Sequence, residues 1–461
     1  MSIVKKRVAV IGLDSIPPEL LFDKFLDRLP NLKRLVSTGI YGKLKSTIPA
    51  ITCPAWTSMV TSANPGRLGI YGFRNRQAYD YEGLQFVTSR LVKEPTLWSL
   101  LSAQNKKVIV IGVPQTYPPS PVNGCMVTGF LTPNTSHNYT YPEELKSEVE
   151  YITGGYKLDV ENFRTDDKAP VIRSVYEMTE KRFKLARNFV QNKEWDFFMM
   201  VEIGPDRLHH AFWKYFDTNH PGYFAGNVYE NVIPDYYLYL DKEIGEFISL
   251  LDHNTTIMVV SDHGVRMMEG GICINEWLIN NGYLKLIHYP DEVTPFNKYI
   301  VDWGNTVAWG EGGYYGRLFM NVKGREPRGV VARQNYEHVR NELITRLESI
   351  RDENGICINT KAFKPEEIYS VCNNIPPDLI VYYGDLAWRS IGSVGHNTIW
   401  AKENDLGSDD ANHSQYGIFL MNDGSDNGVL KEGLELIDVA PTILDCMGVD
   451  IPFSMEGKVI R

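Results

Sequence analysis

Five short apolar runs recur along the chain. They are RVAVIGLD (7–14), KKVIVIGVP (106–114), WDFFMMVEIG (195–204), TTIMVVSDHG (255–264) and PDLIVYYG (377–384). Unbroken runs of Val, Ile and Met of this length are typical of strands that are buried on both faces, as in parallel sheets. Helix-like segments, among them 172–192 and 229–251, lie between the runs. The alternation predicts an α/β fold with a central, mainly parallel sheet.

One region departs from this alternation. Residues 265–400 are less regular and rich in Gly, Tyr and Trp, which predicts an inserted cap or subdomain that closes over a site. Within it, WGNTVAWGEGGYYG (303–316) is either a loop whose aromatic rings line a pocket or a glycine-rich surface loop. The sequence contains no internal repeat and no clear linker, so we treat residues 1–461 as one domain that includes this region.

Composition and charge exclude several classes of function. The chain has 461 residues, 43% hydrophobic content and a net charge of −10, without a dense run of Lys or Arg. Stable nucleic-acid binding is therefore not expected. The sequence has no stretch of about 20 apolar residues, so no membrane span is expected either.

The N-terminus and the cysteines predict a compartment. The segment MSIVKKRVAVIGLD differs from a signal peptide, because its apolar run is short and reaches Asp14 at once. Scattered cysteines without CxxC spacing argue against a disulfide framework or a Cys-rich zinc site; they are Cys53, Cys125, Cys273, Cys357, Cys372 and Cys446. We predict a reduced, cytoplasmic protein, and the pattern leaves its oligomeric state open.

Acidic residues and histidines follow several of the predicted strands. Asp14 ends the first run, Asp206 lies just past the third, and Asp262 and His263 follow the fourth. In open α/β sheets, ligands bind at the edge where the carboxyl ends of the strands meet. The alternative for Asp14 is a cap of the next helix, and the alternative for the Asp-His pair is an ordinary polar turn.

Two further candidates come from a helix and from the last third of the chain. In DRLHH, Asp206 and His210 are four residues apart, so on a helix they share one face and can chelate one ion. His209, three residues after Asp206, is the rival, and a solvated helix face is the alternative. His413, in DDANHSQYGIF, precedes another short apolar run, and a lone histidine is more often structural than a ligand.

Together these residues form two half-sites. The first combines Asp14, Asp262 and the Thr52 hydroxyl with His263, and the second combines three ligands: Asp206, His210 and His413. Mixed Asp and His ligands suit zinc, or manganese and iron, better than calcium. Two such ions about 4 Å apart form the clamp that enzymes use for in-line displacement at phosphorus.

Thr52 lies in PAITCPAWTSMVTS (49–62), where a helix is predicted to begin. Thr is a good N-cap residue and Pro is favoured in the first helical turn, so capping is one interpretation. The other is that Thr52 is a nucleophile, placed where free backbone N–H groups and the helix dipole favour an anion. The two interpretations agree on position and differ on purpose.

The order of these motifs carries a resemblance. Asp14, Thr52 in PxxTxP, DxxxH, SDHG and a late His before GIF occur in the order found in the alkaline phosphatase superfamily. The chain most resembles its type I phosphodiesterase/nucleotide pyrophosphatase branch. PAWTSMVTSANPGRLGIYGF (54–73) and GREPRG (324–329) resemble prokaryotic members described as predicted phosphohydrolases or phosphomutases.

The resemblance implies a three-layer α/β/α catalytic domain and a role for each candidate. Thr52 would be the nucleophile and a ligand of one metal, with Asp14, Asp262 and His263. Asp206, His210 and His413 would hold the other. HHAFWKYF (209–216) would be a helix packed on the core, with only His210 turned to the metal.

The sequence departs from the family pattern at the phosphate contact. Nucleotide pyrophosphatases carry an Asn that binds the phosphate, and Phe73 occupies that place here. The replacements that remain open are Arg74, Asn75, Arg76 and Arg325. Sulfatases of the same superfamily are excluded, because Thr52 stands where they need Cys or Ser and Trp56 replaces their Arg.

These inferences predict a two-metal-dependent phosphohydrolase. Its substrates would be small-molecule phosphate esters, foremost phosphodiesters or nucleotide pyrophosphates, and a covalent phospho-threonine would form during turnover. Zinc is the first expectation for the ions, with manganese or iron as alternatives. Two other functions remain open: a metal-dependent phosphomutase that uses the same residues, and a non-catalytic binding protein.

Overall fold

The structure is a computed structural model that describes residues 6–402, 407–424 and 428–461. Its α-helices, in chain order, are α1 Pro30–Thr38, α2 Thr52–Thr61, α3 Pro65–Leu68, α4 Leu97–Ala103, α5 Leu145–Thr153, α6 Lys168–Asn192, α7 Gly204–Phe216, α8 Val232–Ile248, α9 Ile274–Asn280, α10 Tyr336–Glu348, α11 Pro365–Ile368 and α12 Val439–Cys446. The strands are β1 Arg7–Leu13, β2 Ile40–Lys45, β3 Arg74–Arg76, β4 Leu84–Phe86, β5 Val108–Ile111, β6 Gly124–Val127, β7 Thr140–Tyr141, β8 Phe197–Glu202, β9 Thr255–Val260, β10 Gly264–Met267, β11 Gly270–Cys273, β12 Ala308–Glu311, β13 Gly316–Met320, β14 Lys361–Phe363, β15 Leu379–Tyr382, β16 Trp388–Ile391, β17 Trp400–Ala401, β18 Ala411–Ser414, β19 Tyr416–Asn422, β20 Val429–Leu430 and β21 Leu434–Glu435.

A ten-stranded sheet forms the centre of the fold. Its order is β20-β2-β19-β9-β1-β8-β5-β6-β7, and β21 pairs with β2. Strands β9, β1, β8, β5 and β6 are parallel neighbours, whereas β19 runs antiparallel to both β9 and β2. Four of the five apolar runs are the parallel strands β1, β5, β8 and β9. The prediction of a central, mainly parallel sheet is confirmed.

The fifth run, PDLIVYYG, is a strand of a different sheet. It forms β15, which pairs antiparallel with β13 and β14 in a four-stranded sheet of order β12-β13-β15-β14. Its grouping with the parallel strands was therefore wrong. All four residues of β15 are buried, and a strand covered on both faces has the same apolar pattern whichever way its neighbours run.

Helices cover both faces of the central sheet. The side chains of β1 alternate, so that Ala9 and Ile11 pack on one face and Val8 and Val10 on the other. Helices α1, α5, α6, α7 and α8 bury apolar residues on the first face, and α2, α4 and α12 do so on the second. This is the expected three-layer α/β/α arrangement.

The region predicted as an insertion contains its own small sheets and core. The four-stranded sheet and a three-stranded sheet of order β16-β11-β17 lie within it or at its end. A separate apolar cluster, built mainly from residues between Ile272 and Tyr383, packs between these elements. That residues 265–400 act as a cap stays a prediction. Among the described residues, no helix has the length and apolar character needed to cross a membrane.

The strand register brings three chain segments to one edge of the sheet. Leu13 of β1 lies opposite Glu202 of β8, and Gly12 lies opposite Val260 of β9. The three strands are parallel, so the residues that follow them emerge at the same edge. Asp14, the start of α7 and Asp262 therefore meet there.

Candidate active site

The first acidic group lies where β1 and β9 end. Asp14, Asp262 and His263 are buried, and each offers one ligand atom within 4.8 Å of the others. His263 Nε2 is 3.3 Å from Asp262 Oδ2 and 3.7 Å from Asp14 Oδ1. Trp56 donates its indole N–H to Asp14 Oδ2 at 2.8 Å, and the backbone N–H of Ser15 donates to Asp262 Oδ1 at 3.3 Å. These bonds hold one oxygen of each carboxylate and leave the other facing His263.

The second group comes from α7 and β18. Asp206 and His210 share one face of α7, as their spacing predicts, and His413 reaches them from β18, which pairs with β10. The Nε2 atoms of His210 and His413 lie 3.3 Å and 3.7 Å from Asp206 Oδ1. His209 points elsewhere, with its Nε2 3.1 Å from the Tyr237 hydroxyl. The rival at i+3 is thus placed outside the group.

The two groups adjoin each other. The rings of His263 and His413 stack with centroids 3.8 Å apart. The backbone explains this, because β10 begins one residue after His263 and pairs with β18 so that Val265 lies opposite His413. One histidine from each group therefore forms the boundary between them.

The unused polar atoms fit divalent ions. Asp14 Oδ1, Asp262 Oδ2, Asp206 Oδ1 and His210 Nε2 are buried and have no hydrogen-bond partner within residues 6–402, 407–424 and 428–461. Leaving such atoms unpaired costs free energy unless something else satisfies them. The spacings of 3.3–3.7 Å within the groups match those of tetrahedral ligands about 2.1 Å from a zinc ion, which are about 3.4 Å apart.

Each histidine is oriented through its other ring nitrogen. The Nδ1 atom of His263 is 3.0 Å from the Gly264 carbonyl, and that of His413 is 2.9 Å from the Ala50 carbonyl. His210 Nδ1 lies 2.7 Å from Asp409 Oδ1. A proton held at Nδ1 by these acceptors leaves the Nε2 lone pair of neutral His263 and His413 free, which is the arrangement of metal-ligating histidines. Although burial opposes the shift, the neighbouring Asp409 and Asp206 raise the pKa of His210 well above its ordinary value, so a metal ion bound there would replace a proton at Nε2.

Charge is unbalanced in the first group and better balanced in the second. Burial, together with the neighbouring acids, raises the pKa of Asp14 and Asp262 well above the ordinary value. The pKa of Asp206 lies well below its ordinary value, because contacts with His210 and Arg207 outweigh burial. Burial lowers the pKa of His263 to about 4 and that of His413 well below its usual range. Both imidazoles are thus neutral at physiological pH.

Thr52 is the first residue of α2. Ile51 is the residue before the helix, and its side chain makes no capping bond. The Thr52 hydroxyl instead lies 3.4 Å from His263 Nε2. The capping interpretation is therefore wrong, because Thr52 lies one residue inside the helix and its hydroxyl bonds no backbone N–H of the described residues. The first N–H groups of a helix lack intrahelical partners and carry the positive end of its dipole.

A cavity of about 660 Å³ opens beside Thr52. Asp206 and His413 also line it, and part of the segment 303–316 forms its wall. In that segment, Tyr314 stacks on the ring of His413 with centroids 4.0 Å apart. Of the two interpretations of 303–316, the structure supports the pocket lining. Five arginines line the cavity: Arg74, Arg164, Arg207, Arg317 and Arg389.

The sequence reasoning missed the residues that support the ligands. Asp409 accepts hydrogen bonds from Arg164 Nε at 2.7 Å and Arg389 Nη1 at 3.0 Å while it contacts His210. Arg207 binds both oxygens of Asp159 at 2.8 Å. Asp409 could have been suspected, because it lies four residues before His413 in DDANH. The partners of the arginines had no signal in the sequence, since they are distant along the chain.

The structure separates the four residues considered for the phosphate contact. Arg74 lines the cavity beside Thr52. Asn75 is buried and bonds the backbone of Tyr71 and Gly69. Arg76 is paired with Glu326, and Arg325 with Asp378 and Glu326. Of these four, Arg74 is the one that the structure places in the pocket.

Two solved structures resemble the chain in fold, although it matches no curated protein in sequence. The structure of human ectonucleotide pyrophosphatase/phosphodiesterase 5 is similar, with a TM-score of 0.55 and 13% identity over 97% of this chain and 96% of that one. The murine protein of the same name, an inactive threonine-to-alanine variant in complex with AMP, gives a TM-score of 0.54, 13% identity and the same coverage.

The family model of type I phosphodiesterase/nucleotide pyrophosphatase matches residues 8–411, which is most of the chain. At 13% identity the solved structures show a shared fold, and the family match supports a hydrolase that acts on phosphate esters. The chain belongs to the type I phosphodiesterase/nucleotide pyrophosphatase family.

Proposed function

We propose that the chain is a two-metal-dependent phosphodiesterase in which Thr52 is the nucleophile. The observation that carries the proposal is the position of the Thr52 hydroxyl. It lies at the start of α2, 3.4 Å from His263, and borders the 660 Å³ cavity. Asp14, Asp262 and His263 would hold one ion together with Thr52, and Asp206, His210 and His413 would hold the other.

The chain's own residues perform defined parts of the reaction. The Thr52 hydroxyl releases its proton to solvent and its Oγ1 attacks phosphorus, while the bond from phosphorus to the leaving oxygen breaks. Water then attacks the phospho-threonine, phosphate leaves, and Thr52 Oγ1 takes back a proton. Two divalent ions, when bound, would favour the threonine alkoxide and neutralise charge on the phosphoryl group. The start of α2 favours the anion electrostatically. Trp56 and Asp409 hold Asp14 and His210 in place.

For the substrate we propose phosphodiesters or nucleotide pyrophosphates. The murine relative is in complex with AMP, which supports a nucleotide-sized ligand. The cavity here has aromatic walls, because Phe73, Phe130 and Phe163 line it. Phe73 packs edge-to-face on Phe130 with centroids 5.4 Å apart. Such rings can stack on a base or another apolar group of the substrate.

Zinc is the proposed metal, with manganese or iron as alternatives, since mixed Asp and His ligands suit all three. We propose the cytoplasm as the location of the protein. It is supported by the cysteines, which are all free thiols in the structure. Disulfides are rare in that reducing compartment.

The test is hydrolysis of bis-p-nitrophenyl phosphate by wild type, Thr52→Ala and Thr57→Ala, after chelation and return of Zn²⁺ or Mn²⁺. Thr57 is a matched control, because it is a buried threonine of the same helix whose hydroxyl has no hydrogen-bond partner among the described residues. Metal-dependent release by wild type and Thr57→Ala, lost in Thr52→Ala, is the expected result. Full activity of Thr52→Ala would overturn the proposal.

The phosphomutase alternative uses the same residues and is separated by the products. A mutase would transfer the phosphoryl group to a second hydroxyl of its substrate and release little or no p-nitrophenol. Absence of release from zinc-loaded wild-type protein would therefore favour the mutase or a non-catalytic binding protein over the proposed hydrolase.

A further inference from the structure

Two of the arginines that line the cavity, Arg74 and Arg317, have no carboxylate partner among the described residues. Arg317, on β13, is buried, with 7% of its surface exposed. It donates from Nη1 to the carbonyl oxygen of Arg74 at 2.7 Å and from Nη2 to that of Gly312 at 3.3 Å. Its Nε is buried and has no hydrogen-bond partner in the described part of the chain. Arg74 itself is exposed on β3, and its guanidinium lies 5.8 Å from the Phe86 ring centroid.

The charges of Arg74 and Arg317 are not matched by carboxylates. Within the residues that the structure describes, neither forms an ion pair, whereas Arg207 pairs with Asp159, and Arg164 and Arg389 share Asp409. Glu311 is the acid beside Arg74 and Arg317, and it makes no hydrogen bond to either. Burial raises the pKa of Glu311 although both arginines oppose this shift. An unpaired buried guanidinium is costly unless a ligand completes its bonds.

We propose that Arg74 and Arg317 bind a second anionic group of the substrate, apart from the phosphate that reacts at Thr52. The substrate class is then a phosphate ester that carries a further phosphate or carboxylate. This inference rests on the proposed function, because it places the reacting phosphate at Thr52, and it deepens that function. Guanidinium groups bind both kinds of anion through paired N–H donors.

Arg74 is the one of the four candidates for the phosphate contact that lines the cavity, but the reacting phosphate needs neither Arg74 nor Arg317. It would lie between the two ligand groups and the start of α2, where two bound ions and the helix dipole would supply positive charge. Arg74 and Arg317 belong to β3 and β13, outside both ligand groups, yet they line the same cavity as Thr52. A molecule with two anions can therefore reach both places at once.

The test measures binding of non-hydrolysable phosphonates to zinc-loaded, full-length protein by calorimetry. Ethylphosphonate carries one anionic group, ethane-1,2-diphosphonate carries two phosphonates, and 3-phosphonopropionate carries a phosphonate and a carboxylate. We expect at least one of the two-anion probes to bind wild type about 10-fold or more tighter than ethylphosphonate, as for one charge-assisted hydrogen-bonded contact. The tighter of the two identifies the second group as phosphate or carboxylate.

The variants are Arg74→Gln, Arg317→Lys and the control Arg34→Gln, an exposed arginine of α1 outside the cavity. The advantage of the two-anion probe should fall to below about 3-fold in Arg74→Gln, and it should persist in Arg34→Gln. Arg317→Lys keeps the positive charge but loses the planar guanidinium with its paired N–H donors, so the advantage of the two-anion probe should shrink without vanishing. The diphosphonate can also chelate zinc and remove it from the protein. This effect does not depend on Arg74, so it is the same in wild type and in Arg74→Gln and does not alter the comparison between them.

An equal affinity of wild type for one-anion and two-anion probes overturns the inference, and so does an advantage that Arg74→Gln retains in full. Because binding is read without turnover, these outcomes differ from the failure of the proposed function. The proposed function fails if wild type does not hydrolyse bis-p-nitrophenyl phosphate, or if Thr52→Ala still hydrolyses it.

Discussion

Asp409→Asn tests how the second metal group is held in place. Asp409 Oδ1 lies 2.7 Å from His210 Nδ1, and its Oδ2 accepts bonds from two arginines. The amide keeps the shape of the side chain but removes its charge and one acceptor oxygen. His210 then loses the carboxylate that fixes its ring and its tautomer.

The expected effect on the metal follows from this contact. Replacing a hydrogen-bonded partner of a ligating histidine costs about 10- to 100-fold in metal affinity, which is about 1.4–2.8 kcal/mol. The change also leaves two arginines without their carboxylate, and breaking such a buried pair costs about 3–5 kcal/mol of folding stability. Since Arg164 is 20% exposed and the amide still accepts a bond, we expect a loss at the lower end, about 3 kcal/mol.

The assay is a zinc titration of the chelated protein against a chromophoric competitor, with circular dichroism to confirm folding. One of two binding steps should weaken by about 10- to 100-fold and the other should stay unchanged. Hydrolysis should recover at correspondingly higher zinc concentrations. Asp410→Asn is the matched control, because Asp410 is the next acid, is also buried, and pairs with Lys214 at 3.3 Å.

Two results would refute this reasoning. The first is a folded Asp409→Asn protein with both zinc affinities at the wild-type value. The second is an equal loss of affinity in Asp410→Asn, which would show that charge near the helix matters and that the contact with His210 does not.

Three further predictions concern stability. Trp56→Phe removes the 2.8 Å bond to Asp14, so the free energy of unfolding in urea should fall by about 1.5–3 kcal/mol; an unchanged midpoint would contradict this. Gly12→Ala places a Cβ 2.6 Å from the Trp56 ring, and thermal melts should show a loss of about 1–3 kcal/mol, with no loss as the contrary result. Hydrogen bonds from Lys181 and a second lysine lower the pKa of Glu177 to about 2, so its stabilisation is present above pH 4.5 and is lost as pH falls towards 2. Glu177→Gln should therefore cost at most about 1 kcal/mol at pH 7, because the site is half exposed, and urea melts at pH 7 and 3 should show the difference shrinking; a constant difference would contradict the assignment.

Much of the fold could be predicted because the parallel strands have a distinctive pattern. The run that ends at Asp14 and the run that ends before Asp262 are buried on both faces towards their carboxyl ends, and parallel neighbours end at one edge. The spacing of Asp206 and His210 on a helix also has one geometric meaning. These local rules brought five of the six Asp and His candidates towards the site, whereas His413 reaches it through the pairing of β18 with β10, which no local pattern predicts.

The rest depended on contacts that no local pattern encodes. The run 377–384 has the composition of a central strand, but its pairing partners β13 and β14 belong to another sheet. Thr52 is compatible with a cap in sequence, but its hydroxyl lies 3.4 Å from His263, a residue 211 positions away along the chain. Asp409 accepts hydrogen bonds from Arg164, which is 245 residues away along the chain, and from Arg389, which is 20 residues away. Tertiary packing alone brings the three residues together.

The most direct test of the central claim is the stereochemical course at phosphorus. A single diastereomer of a nucleoside p-nitrophenyl phosphorothioate would be hydrolysed in ¹⁸O-labelled water by the zinc-loaded protein, and the configuration of the product determined. Two successive in-line displacements, first by Thr52 and then by water, predict net retention of configuration. Net inversion would mean that water attacks the substrate directly, and it would contradict the phospho-threonine mechanism.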